Sequence, residues 1–288
     1  MRKNILVVAL LMCFCALSFG QTEIESLDST VPIPTRIKMN LPEGIKYCAE
    51  WGSYWYSSSW SANIYMFNRE GFLVRQQLFL DCEDYSHPSG YFVYSYDNKN
   101  RLTSCKLYSK KSELVRERTY HYSSDGLAVR IEESSSDDSS ENWRYIYSLI
   151  YDKQSGLLMV KKCEKDGGTS RDPDAYMYPH TFYYYYDKDG RVVQEWNRTQ
   201  SVVNKNPNIF VKTEWAYDHN GQLICETVSF FNRNGDYASD QYYTQTYRYK
   251  YDFITEYGLW DKREKYCISN KGEDDLKEII YRTYSFYD

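Results

Sequence analysis

Phe182-Tyr183-Tyr184-Tyr185-Tyr186-Asp187-Lys188-Asp189-Gly190-Arg191-Val192-Val193 reads as a strand, a four-residue turn and a second strand. Tyr184 and Tyr186 are two residues apart and share one face of a strand. Asp187 can accept hydrogen bonds from the turn backbone, and Gly190 can take a positive φ without a Cβ penalty. Four-residue hairpin loops are commonly built around a type I turn. Val192 then starts the alternation of the return strand.

Working outward, the same grammar recurs. Tyr65 to Leu73 turns at Gly71, and Tyr94 to Leu102 turns at Asn100, the residue that tolerates the left-handed region best after glycine. Tyr120 to Gly126 is a looser copy. Tyr147 to Leu158 carries one extra residue before Gly156. Trp215 to Leu223 is close to the best copy, with Asp218 and Gly221 in the turn. Tyr251-Asp252 begins a copy that loses its turn glycine, and Tyr266 to Gly272 reads as the last. Turn residues 71, 100, 126, 156, 190 and 221 stand roughly thirty apart, which fits two strands and two connections per unit. The pattern predicts an all-β chain, an antiparallel meander of repeated β-hairpins forming an extended, curved or spiralling sheet. Asp97, Asp187, Gly190, Asp218 and Gly221 are its structural turn residues.

These copies resemble the tyrosine-aspartate (YD) repeats of RHS and teneurin-like proteins, with a pattern near Tyr-x-Tyr-Asp-x-x-Gly-Arg-Leu. Tyr184, Tyr186, Asp187, Gly190, Arg191 and Val192 match it, as do Tyr94, Tyr96, Asp97, Arg101 and Leu102, and Trp215, Tyr217, Asp218, Gly221 and Leu223. The resemblance implies hairpins that build a long spiralling sheet. The chain is also similar to short secreted YD-type proteins of Bacteroidota.

Residues 1–20 have the anatomy of a secretory signal: Arg2 and Lys3, an apolar run from Ile5 to Leu17, then Ser18-Phe19-Gly20 as a small-residue cleavage site before Gln21. Met12 and Phe14 stand before Cys13 and Cys15, which disfavours a lipoprotein signal. The reading is therefore a periplasmic or secreted protein with no transmembrane segment in the mature chain. Residues 21–45, with Pro32, Pro34 and Pro42, read as an extended arm, and 46–288 as one repeat domain.

Removing Arg2 and Lys3 takes the net charge from −5 to −7. An acidic chain with no basic run argues against nucleic acid as a partner. Tyrosine dominates, with 32 residues, while mean hydropathy is negative. Its ring buries apolar area while its hydroxyl stays wet, which suits a thin sheet. Cys48, Cys82, Cys105, Cys163, Cys225 and Cys267 are too dispersed for CxxC chemistry. Cys105 and Cys225 occupy matching places in their copies, which favours buried thiols stacked within a sheet over disulfides.

No HExxH, GxSxG or glycine-rich phosphate loop is present, and no metal or cofactor is implied. Trp51, Trp55 and Trp60 crowd with Tyr54 and Tyr56 into a dozen residues. They read either as a hairpin capping the sheet end or as a platform for sugar rings. Asp81, Glu83 and Asp84 are the carboxylates on which a glycoside-hydrolase pair could draw. The tail permits a helix starting near Gly272 or a closing strand through Ile279 to Tyr287. The leading functional expectation is a non-catalytic secreted or cell-envelope scaffold or binding surface, with an envelope protein or glycan as partner. The alternative is a glycan-binding module or carbohydrate-active enzyme using exposed aromatics.

Overall fold

The computed structural model describes residues 39, 41–54, 60–79, 87–135, 144–165, 180–199, 209–231, 244–253, 259–268 and 274–287. Period-two alternation and turn chemistry yield sixteen strands among them: β1 (Ile45–Tyr54), β2 (Trp60–Phe67), β3 (Leu73–Phe79), β4 (Gly90–Tyr96), β5 (Leu102–Ser109), β6 (Leu114–Tyr122), β7 (Ala128–Ser135) and β8 (Arg144–Tyr151), then β9 (Leu158–Lys165), β10 (His180–Tyr186), β11 (Val192–Thr199), β12 (Ile209–Tyr217), β13 (Leu223–Phe231), β14 (Thr244–Phe253), β15 (Trp260–Ile268) and β16 (Asp274–Phe286). Each strand pairs antiparallel with its sequence neighbours, and β1 pairs with β16. The meander therefore closes into a barrel.

Closure corrects the expectation of an extended, curved or spiralling sheet. A spiral would leave two edge strands with unpaired backbone groups. Here β1 and β16 satisfy each other over nine paired residues, from Ile45–Phe286 to Tyr54–Glu278. Gly52 permits the close approach, since a Cβ there would lie 2.1 Å from the Ile279 carbonyl oxygen. The tail is strand from Asp274, not helix. The tryptophan-rich hairpin β1–β2 does not cap a sheet end, because the sheet has none.

The turns share one construction. In the turn after β10, Asp187 N–H donates to the Arg191 carbonyl (2.9 Å) and Gly190 N–H to the Asp187 carbonyl (3.1 Å). Gly190 has φ +78° and Asn100 φ +60°, the left-handed corner that returns the chain. Asp187 Oδ1 accepts from the amides of Asp189 (2.8 Å) and Arg191 (2.9 Å). Asp97 accepts likewise from Lys99 and Arg101, and Asp218 from Asn220 and Gln222, all at 2.9 Å. Burial alone would raise the Asp97 and Asp187 carboxyls. The amide and guanidinium donors outweigh it, and both sit below the usual aspartate range.

Six tyrosines have a separate task. Ladders between neighbouring hairpins stop two residues short of each return strand's start. For example, β3–β4 pairing begins at Arg75–Val93, leaving the Leu73 carbonyl outside it. Tyr96 Oη donates to that carbonyl at 2.7 Å. The same bond joins Tyr122 to Leu102, Tyr186 to Leu158, Tyr217 to Val192, Tyr251 to Leu223 and Tyr284 to Trp260, at 2.6–3.0 Å. Arg101 lies over the Tyr122 ring (4.5 Å) and Arg191 over the Tyr217 ring (5.3 Å). Each turn arginine thus holds its own aspartate and the next unit's tyrosine.

Candidate functional site: the two faces of the barrel wall

Alternate side chains separate into two rows. One holds Cys48, Tyr65, Phe92, Tyr94, Cys105, Tyr120, Ile131, Tyr147 and Cys163, all buried, with Cys48 and Cys163 at 0% exposure. The other holds Tyr47, Arg130, Ile150, Lys162, Tyr183, Arg248 and Lys250, all exposed. A single-layer wall shields side chains fully only on its concave side, so the first row faces the lumen.

Following that row through the register exposes a set of paired charges. Glu50 on β1 and Arg282 on β16 are opposite residues and form an ion pair. Arg282 also lies over the Trp260 ring at 3.8 Å, and Tyr65 Oη donates to Glu50 at 3.3 Å. Arg263 pairs with Glu278 (3.2 Å). Glu226 takes Lys265 (3.2 Å) and the Tyr249 hydroxyl. Across β6–β7, Glu133 takes Arg118 (3.0 Å), Arg116 (3.5 Å) and Tyr147 Oη (3.3 Å). Lys161 lies over the rings of Tyr147 (4.6 Å) and Phe182 (5.7 Å). A buried charge is tolerated only when paired, and the carboxylates of Glu50, Glu133, Glu226 and Glu278 each have a cation. The inward face of the wall is thus lined by rings and ion pairs. No group of three metal-binding side chains occurs among the described residues.

The outward row differs around the circumference. Over β16, β1 and β2 it carries Ile279, Tyr281, Ala49, Trp51, Ile64 and Met66. Over β5 to β8 it is charged. Lys106 pairs with Glu117 (3.2 Å), and Glu132 gathers Arg130 (2.9 Å), Arg144 (2.6 Å) and His121 (3.2 Å).

The residues singled out in the sequence do not converge. Trp51 faces outward and stacks on Tyr281, ring centres 5.9 Å apart. Trp60 opens β2, where its backbone pairs with Ser53. Trp55, Asp81, Glu83 and Asp84 lie outside the described residues. Cys105 faces the lumen but Cys225 faces outward beside Ala216 and Arg248, so the two are not stacked equivalents. Cys105 comes five residues after its turn corner and Cys225 four, which puts them on opposite faces. None of the five described cysteines is in a disulfide. The lumen ion pairs were missed. Counting in twos from the motif tyrosines finds them: Arg118 precedes Tyr120 by two, and Glu133 follows Ile131 by two.

No protein-family model and no curated protein matches the chain. Among solved structures, a porin-like protein from Bacteroides vulgatus ATCC 8482 covers 84% of this chain and 98% of its own, with 8% identity and a TM-score of 0.50. A porin-like protein from Bacteroides uniformis ATCC 8492 covers 84% and 97%, with 10% identity and a TM-score of 0.49. The TcdB2-TccC3 structure covers 77% of this chain and 10% of its own at a TM-score of 0.29, too low to carry an argument. The first likeness shows the fold, a closed barrel of the porin-like kind. It corrects the YD-repeat assignment: hairpins recur along the chain, but they close on themselves instead of spiralling. It also overturns the expectations of a periplasmic or secreted protein and of a mature chain with no transmembrane segment. A closed barrel satisfies every backbone group internally and can cross a bilayer with strands, which a search for apolar helices does not register. Among the described residues no helix is long and apolar enough to cross a membrane, which says nothing of a barrel.

Proposed function

We propose that the chain is a non-catalytic barrel of the outer membrane whose inward wall, lined by rings and ion pairs, makes it a structural or binding element, not an open channel. The observation that carries this is the lumen wall itself: buried tyrosines interleaved with ion pairs on a closed sixteen-strand barrel. A charged side chain facing lipid at the bilayer midplane costs about 2–4 kcal/mol for Arg or Lys. The apolar arc over β16, β1 and β2 is therefore assigned to lipid. The arc over β5 to β8, with Lys106, Arg130 and Arg144, is assigned to a protein or aqueous neighbour. Membrane fractionation followed by planar-bilayer recording tests the reading. The barrel should partition with outer membranes, resist extraction by carbonate and show no steady conductance. Release by carbonate, or porin-like conductance, contradicts it.

A second reading is a glycan-binding surface, favoured by the outward Trp51–Tyr281 stack. Intrinsic fluorescence titrated with a polysaccharide panel should shift for the native chain and not for Trp51→Ala. Silence across the panel removes this reading.

A further inference from the structure

We propose that the outward face over β8 to β11 holds a membrane lipid with an anionic headgroup, an inference that rests on the membrane reading above. Ile150, Val160, Tyr183 and Trp196 are consecutive register partners across these strands. They form one apolar row, about 14 Å long at the usual spacing of ~4.8 Å between strands. Ile150 is 56% exposed and Tyr183 37%, and Tyr185, next along the same face of β10, is 46% exposed. Single exposed apolar side chains need no explanation, but a contiguous strip marks a contact surface. This strip lies apart from the apolar arc over β16, β1 and β2.

The adjacent row has the opposite chemistry. Arg130, Ser148, Lys162 and Thr181 are also consecutive register partners, on β7 to β10. Ser148 precedes Ile150 by two, Lys162 follows Val160 by two and Thr181 precedes Tyr183 by two, so the rows run side by side on one face, about 7 Å apart. Arg130 and Lys162 are exposed. At the far end of the apolar row, Gln194 accepts from the Trp196 indole N–H at 3.1 Å and fixes the ring, and Lys212 lies over that ring at 5.8 Å. An apolar row beside a row of cations and hydroxyls matches an amphiphile, with acyl chains along the first and phosphate oxygens along the second. Indole and phenol rings suit the boundary between acyl chains and headgroups. Exposed lysine and arginine beside that boundary favour an anionic headgroup over a zwitterionic one. A protein partner is the competing occupant, and the test separates the two.

Two tryptophans report on the idea, Trp196 on this strip and Trp51 on the separate apolar arc. The full chain is reconstituted into phosphatidylcholine vesicles doped with phosphatidylglycerol or phosphatidylcholine that carries brominated acyl chains, which quench nearby indoles. The share of each ring is the difference between the native chain and its Trp196→Phe or Trp51→Phe variant. We expect Trp196 to be quenched at least about twofold more by the brominated phosphatidylglycerol, and Trp51 equally by both lipids. The preference at Trp196 should vanish in the Arg130→Gln, Lys162→Gln double variant, while quenching by brominated phosphatidylcholine persists. Should that variant fail to fold, the comparison of the two lipids on the native chain decides alone. Quenching of Trp51 with none at Trp196 would mean that lipid does not reach the strip and a protein covers it, which overturns the proposal. Equal quenching of Trp196 by both lipids overturns the headgroup assignment. Quenching of neither ring removes the membrane reading itself and this proposal with it.

Discussion

The two seams that divide this barrel are built differently. At β16–β1 the ends of the chain meet over nine paired residues, with the Glu50–Arg282 ion pair facing the lumen and the Trp51–Tyr281 stack facing out. At β9–β10, among the described residues, the strands meet over three paired residues, one tyrosine hydroxyl and Lys161 over the Phe182 ring. The seam that pays the largest loop-closure entropy thus has the most bonds across it. Sequence separation alone does not set ladder length, because β12–β13, joined by the four-residue turn Asp218–Gly221, also keeps eight paired residues.

The comparison can be broken at the strong seam first. Arg282→Ala leaves Glu50 buried without its cation and should cost about 3–5 kcal/mol in urea unfolding. The double variant Glu50→Gln with Arg282→Met should recover most of that loss. If Arg282→Ala unfolds at the native midpoint, the seam is not held by this pair.

Gly52→Ala comes next. Its Cβ would meet the Ile279 carbonyl at 2.1 Å, so β1 must shift off β16. We expect a loss of about 1–3 kcal/mol, as for overpacking. A neutral result would mean that β1 and β16 stand farther apart.

Removing single hydroxyls sharpens the contrast. Tyr186→Phe and Tyr284→Phe each delete one donor to a strand-start carbonyl, worth about 1 kcal/mol. Similar stability losses are expected, but only Tyr186→Phe should raise hydrogen exchange at its own seam. Equal local effects would mean that the β9–β10 and β15–β16 walls are equivalent.

The smallest effect belongs to the turns, which both halves of the barrel share. The folded-state carboxyls of Asp97 and Asp187 lie below their unfolded values. Their stabilisation is complete above the ordinary aspartate range and is lost as pH falls through the folded values. Asp187→Asn should flatten that acid limb in thermal melts between about pH 5 and 2, its small stability loss falling at neutral pH and vanishing in acid. An unchanged limb would remove Asp187 from the account.

What the sequence made legible is what local chemistry decides. The left-handed corners at Gly71, Asn100, Gly126, Gly156, Gly190 and Gly221 could be read from residue type and spacing, because a four-residue turn tests its own φ angles. The closing strand in the tail was one of two readings for the same reason: Ile279 to Tyr287 alternates. What it closes onto was not legible. Pairing Tyr281 with Trp51 joins residues 230 positions apart, and no local propensity encodes that partner. Phase also misled. Tyr266 was read as opening a last copy, yet it faces outward on β15 beside Glu264, while Tyr284 makes the bond to Trp260. A one-residue slip moves a side chain to the other face, and tyrosine fits both faces here. The lumen charges stayed hidden because lysine, arginine and glutamate read as solvent-facing until the wall is known to be curved.

Closure is the claim on which the rest stands, and a cross-link across β1 and β16 tests it most directly. Ala49 and Thr283 are opposite residues on the outward face. In the Ala49→Cys, Thr283→Cys variant, mild oxidation should give a disulfide within one chain, in high yield and independent of protein concentration. A linkage found only between chains, or no linkage while the protein stays folded, would show two free edges and contradict the barrel.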